Sequence, residues 1–163
     1  MVIAVDFGSG HWPVKFLAAK DIGMLDAPVS GGSEGAARGT LSIMVGGDAD
    51  VLERVRPVLS AMGTRVIHCG GPGAGQVTKA CNQLIVMSTT VAVAETLRLA
   101  EHAGVDPWTV REALMGGYAA SPMLDIQGPK VLDETYQPGG KAIFHAKDIA
   151  TIRELKAAAG LDL

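Results

Sequence analysis

The chain has 163 residues, 48% of them hydrophobic and 19% charged, enough for one domain, or one and a half, around a real apolar core. Its 14 Lys and Arg stand against 17 Asp and Glu for a net charge of -3, and the basic residues are scattered instead of striped, which excludes nucleic acid and anionic membranes as partners. Cys69 and Cys81, without C-x-x-C spacing, exclude a zinc knuckle, and the lack of a signal-like start or a membrane-length apolar run leads us to expect a cytoplasmic protein.

Residues 1–7 read as a buried strand, 14–20 as a short helix and 23–27 as a second strand entering the turn at Pro28. LDAPVSGGSEGAARGT then sets Ser30, Gly31 and Gly32 just past a strand end, where ligands of open α/β sheets bind. Two readings stay open there: backbone N–H groups and a hydroxyl that suit a carboxylate or phosphate, or a glycine-rich turn with a capping serine. LSIMVGG is a strand closed by Gly46 and Gly47, Asp48 caps the helix ADVLERVRPVLSAM, and RVIHCGG is the next strand. Alternating α/β structure is expected to this point.

From Gly75 onward the period turns helical. QVTKACNQLIVMSTTVAVAETLRLAEHAG predicts one long helix ending at Gly104, and since no charge falls between Lys79 and Glu95, most of its circumference should be buried. Asp106 with Pro107 opens another helix, Ser121 with Pro122 a third, and AIFHAKDIATIRELKAAAG a fourth that stops at Gly160.

The loop GGPGAGQ has the strand-to-helix context of a dinucleotide fingerprint without its spelling. With Gly71 and Gly73 as the first two glycines, Gln76 occupies the third site, and no acidic residue closes a following strand. In VIAVDFGSGHW, Pro13 fills the corresponding third site. Lys79 lies one turn into the long helix, with Asn82 and Gln83 at i+3 and i+4 on the same face. A lysine desolvated beside amides acquires a pKa near neutrality, as a general acid/base needs; a lysine in a first turn can equally snorkel to solvent while the amides bond to backbone. Lys147, before Asp148, taken alone reads as a surface lysine.

Together, FLAAKDIGMLDAPVSGGSEGAARGTLSIMVGG, GPGAGQVTKACNQ, SPML and HAKDIATIRELKAAAGLDL, in this order and at these intervals, resemble the β-hydroxyacid dehydrogenase family, which includes 3-hydroxyisobutyrate dehydrogenase, tartronate semialdehyde reductase and relatives of 6-phosphogluconate dehydrogenase. The resemblance implies a partial Rossmann-type α/β sheet followed by an all-α helical domain with one long central helix. Residues 1–73 would be the α/β part of a dinucleotide-binding domain and residues 74–163 the helical substrate and dimerisation domain. It also implies that Ser30, Gly31 and Gly32 bind a small carboxylate substrate, that Lys79 is the catalytic lysine with Asn82 and Gln83 orienting the substrate, and that Lys147 lies near the nicotinamide of NAD or NADP. The glycine-rich loop becomes a hinge from sheet to long helix.

Family members open with a strand and a G-x-G-x-x-G turn that this sequence does not show, so a form shortened at both ends is expected, holding the substrate half of the site. A homo-oligomer is expected to cover the sheet edge and helix faces so exposed. Two functions follow as expectations: an oxidoreductase acting on a small hydroxyacid or its semialdehyde, or a non-redox remnant that binds a small acid or performs lysine-assisted hydrolytic or lyase chemistry without nicotinamide. No metal is expected in either.

Overall fold

The structure, a computed structural model, describes residues 3–6, 17, 19–20, 22–136 and 142–162. The helix expected over residues 14–20 falls outside them for the most part. In chain order come strands β1 (Ile3–Asp6), β2 (Gly23–Asp26) and β3 (Val29–Ser30), helix α1 (Gly32–Arg38), β4 (Ser42–Gly47), α2 (Ala49–Met62), β5 (Arg65–Gly70) and the long helix α3 (Ala74–His102). Helices α4 (Pro107–Met115), α5 (Pro122–Leu132) and α6 (Ala142–Ala159) complete it. A partial Rossmann-type sheet is thus followed by an all-helical region with one long helix, and the chain divides into two compact units, Met1–Cys81 with Ala150–Leu163, and Asn82–Ile149.

In the first unit β1 runs parallel to β2, and β4 parallel to β5, but β2 and β3 are both antiparallel to β4. Their registers continue one another: Leu25 faces Gly47, Asp26 faces Gly46, Val29 faces Ile43 and Ser30 faces Ser42. The amide of Met44 donates to the carbonyl of Pro28 at 3.0 Å, so β2 and β3 occupy one position in the sheet, interrupted only where Pro28 lacks an N–H. Directly after the glycine-rich bend, Gly32–Arg38 form α1, a helix of 7 residues that the sequence reading does not anticipate and that reverses the chain into β4. Its composition, rich in Gly with one exposed Glu34–Arg38 pair, gives too short and weak a period to read as a helix.

Alternation across the strands decides the two sheet faces. Leu25, Ile43 and Val45 point to one face and meet Leu52 and Leu59 of α2, all fully buried, which is worth about 1.5–3 kcal/mol for each side chain. Asp48 starts α2 as expected, its Oδ1 accepting from the amides of Asp50 and Val51 at 2.8 and 3.1 Å. Asp26, between two buried apolar neighbours in the sequence, points to the opposite face.

The second unit is built on Val93 and Leu97, one helical turn apart on α3, packed with Leu124 of α5 and with Leu114, Met115, Val131 and Leu132 around them. Arg111 clamps α4 to α5, donating to the carbonyls of Leu124 and Asp125 and pairing with the Asp125 carboxylate at 2.7 Å. The expectation that α3 is buried around most of its circumference is corrected here: Ile85 is 68% and Leu99 71% exposed. An uncharged helix surface is coverable, but the helices present in this unit pack on the single stripe that carries Val93 and Leu97. Among the described residues no helix is long and apolar enough to cross a membrane.

Helix α4 begins on Asp106, whose carboxylate accepts from the Thr109 hydroxyl at 2.6 Å and from the Thr109 and Trp108 amides at 3.0 and 3.4 Å. The Thr109 hydroxyl, then its amide, hold the Asp106 pKa below the ordinary value of 3.8. A depressed carboxylate pKa adds stability that is complete above the unfolded value and is lost as pH falls through the folded one. The gap in urea midpoint between wild type and Asp106→Ala should therefore be constant from pH 7 to 5 and close below the ordinary aspartate value; a gap unchanged at pH 2 would exclude the charge as its origin.

Candidate active site

The loop at residues 70–75 is where a phosphate would be sought, and the protein fills it with its own carboxylate. Asp26 is only 7% exposed; its Oδ1 accepts from the amide of Gly73 at 2.7 Å and its Oδ2 from the amide of Gln76 at 2.9 Å. These are first-turn donors of α3 that have no partner within the helix, and a negative charge there also opposes the positive end of the helix dipole. Two glycines make the approach possible. A Cβ on Gly46 would lie 2.5 Å from Asp26 Oδ1 and 2.7 Å from the Gly75 nitrogen, and one on Gly75 would lie 2.4 Å from the Met44 carbonyl oxygen. Backbone of α3 thus rests directly on backbone of β2 and β4.

From this start α3 carries Lys79, Asn82 and Gln83 at i, i+3 and i+4, on one face of a continuous helix. Lys79 and Asn82 are half-buried and Gln83 is buried. Gln83 donates through Nε2 to Oδ2 of Asp148 on α6 at 2.5 Å, and Asn82 donates through Nδ2 to Oε1 of Gln83 at 2.9 Å. An ionised carboxylate only accepts, so Asp148 fixes which end of the Gln83 amide faces it; Gln83 in turn fixes Asn82 with its carbonyl oxygen turned away from Gln83. Each amide in the row has a set polarity. Lys147 stands beside the same carboxylate, its Nζ 3.7 Å from Asp148 Oδ1, with an exposed side chain.

Of the residues singled out from sequence, Asn82, Gln83 and Lys147 are therefore joined through Asp148, and Lys79 shares the α3 face of Asn82 and Gln83. Ser30 lies at the end of β3 in the sheet-bearing unit, paired with Ser42, and is followed by Gly31 at φ 134° and Gly32 at φ 63°. Both values lie where side chains are strained, so the exposed bend into α1 requires these glycines. Sequence reasoning missed Asp26 and Asp148 as organising groups. A carboxylate at the end of an otherwise apolar strand, GMLD, was the available signal for the first; for the second there was only adjacency to Lys147. Among the described residues no cluster of His, Cys, Asp and Glu could hold a metal ion, and Cys69 and Cys81 are free thiols.

Residues 73–163 match the family model described as NAD-binding of NADP-dependent 3-hydroxyisobutyrate dehydrogenase, and residues 12–71 match the NAD binding domain of 6-phosphogluconate dehydrogenase. The chain is 48% identical over 139 residues to a 2-hydroxy-3-oxopropionate reductase of Escherichia coli K12, a match covering 85% of this chain and 48% of that protein. It is 38% identical over 143 residues to a probable 3-hydroxyisobutyrate dehydrogenase of Mycobacterium tuberculosis H37Rv, covering 83% and 49%. Among solved structures it resembles the Mycobacterium tuberculosis 3-hydroxyisobutyrate dehydrogenase with L-serine, at a TM-score of 0.85 and 32% identity over 99% of this chain and 60% of that one. A 3-hydroxyisobutyrate dehydrogenase from Salmonella typhimurium superposes with a TM-score of 0.81 at 30% identity, over 92% and 53%. The chain spans about half the length of the curated relatives it matches.

Proposed function

Since this chain belongs to the β-hydroxyacid dehydrogenase family, we propose that it takes part in the oxidation of a small hydroxyacid, or the reduction of its semialdehyde, with Lys79 as general acid/base. The observation that carries the reading is the polar row Asn82, Gln83 and Asp148 on the helix face of Lys79. Such a row has a fixed set of donors and acceptors and is suited to hold a hydroxyl or carbonyl in one orientation. In the oxidative direction neutral Lys79 takes the proton of the substrate hydroxyl as the carbinol hydrogen departs as hydride; in reduction its ammonium returns that proton to the carbonyl oxygen. Ser30, Gly31 and Gly32 bind the acid group of the substrate through hydroxyl and amide donors.

NAD or NADP supplies the hydride acceptor when bound. Residues 70–75 do not fit its phosphates, because the amides of Gly73 and Gln76 already serve Asp26. Lys147, an exposed cation beside Asp148, would be the residue to help hold the nicotinamide cofactor, as the family resemblance implies. Titration of NADH and of NADPH into the purified protein, followed by nicotinamide fluorescence, tests this directly. Saturable change with one of them is the expected result. A flat response to both would leave the second reading, acid binding or lysine-assisted chemistry without nicotinamide, which the internally filled loop favours.

Self-association belongs to the same proposal. The exposed Ile85 and Leu99 on α3 are apolar surface that a second copy would remove from water. Sedimentation should then show a dimer or larger species at micromolar concentration, and a clean monomer there would remove the oligomer from the proposal.

A further inference from the structure

We propose that Asp26 is a positioning residue for Lys79, acting through the first turn of α3; the catalytic part of this inference rests on the function proposed above. Lys79 lies three residues after Gln76, so at 1.5 Å per residue its place along the helix axis is set about 4.5 Å beyond an amide that Asp26 holds. Gly70, Gly71, Pro72 and Gly73 have no side chain that can cap a helix, so the local sequence supplies no substitute. The restraint acts in two directions. Oδ1 and Oδ2 bind donors from two successive points of the turn, Gly73 and Gln76, which stops rotation and fraying, while Gly75 lying on the Met44 carbonyl stops the helix from approaching the sheet any closer. Asp26 is itself held between these contacts, in room that exists because Gly46 carries no side chain: a Cβ there would lie 2.5 Å from its Oδ1. A lysine that must meet a hydroxyl proton at hydrogen-bonding distance is sensitive to such placement, because a shift of about 1 Å costs on the order of a hundredfold in rate.

The decisive variant is Asp26→Asn, which keeps the shape of the side chain and turns one of its two acceptors into a donor facing an N–H. Hydrogen exchange should accelerate at the amides of residues 73–79 and leave those near Leu97 protected. Turnover should fall about tenfold with KM little changed, and in the Lys79→Ala background the same substitution should cost less than about twofold, since there is no longer a lysine to misplace. Unchanged exchange over residues 73–79 would overturn the anchoring. An equal loss of turnover in both backgrounds would overturn the route through Lys79. Failure of the function itself reads differently: Lys79→Ala would then keep full activity while the exchange result stands. If Asp26→Asn does not fold, Asp26→Ser, smaller and also neutral, carries the same measurements.

Discussion

Lys79→Ala is expected to lower turnover by about a hundredfold or more while leaving the circular dichroism spectrum unchanged. The side chain is half-buried on a helix whose stability comes from elsewhere: from Asp26 at its start and from Val93 and Leu97 in the second unit. Truncation should therefore remove chemistry without removing the fold. Ser30→Ala should act differently, raising KM for the acid with a smaller change in kcat, because on the proposed reading it binds the substrate alike in ground and transition states. Lys156→Ala, a control on α6 that breaks an ion pair with the exposed Asp162, should do neither. Full activity in Lys79→Ala would discard the acid/base assignment.

Gly75→Ala should destabilise the protein by about 3 kcal/mol, read from the urea midpoint, although alanine is the better helix former by about 1 kcal/mol. The reversal of sign is diagnostic. A methyl group at Gly75 would meet the Met44 carbonyl oxygen at 2.4 Å, Asp26 Oδ2 at 2.7 Å and the Asp26 carbonyl oxygen at 2.8 Å, and two of these three are backbone atoms that cannot rotate away. Gly71→Ala, four residues earlier with nothing within 4 Å of its Cβ position, should stay within about 0.5 kcal/mol of wild type. Equal effects of the two substitutions would contradict the close approach of α3 to the sheet.

How much of this was legible in the sequence follows from how local each signal is. Asp48, Asp106 and Ser121 announce helix starts because the donors they satisfy lie two or three residues away, and all three cap as expected. The length of α3 was legible because neither proline nor glycine interrupts residues 76–103. Helix α1 was not, since GSEGAAR has no apolar stripe, and its role is to reverse direction between two strands that pair with each other. The one-sided packing of α3 was also hidden, because hydrophobic composition tells which surface is coverable but not which neighbour covers it. In the candidate site, the spacing of Lys79, Asn82 and Gln83 was visible as a shared face. The carboxylate that fixes the amides lies 65 residues further on from Gln83, and no local pattern joins them.

The contact between Asp26 and the start of α3 also bears on the order in which the chain assembles. The amide of Gln76 waits for a carboxylate written 50 residues upstream, so the first turn of the longest helix cannot be completed from its own segment. The turns around Val93 and Leu97 need only neighbours that follow them. Helix α3 should therefore grow from its middle, with its beginning the late event, sealed when β2 has taken its place against β4.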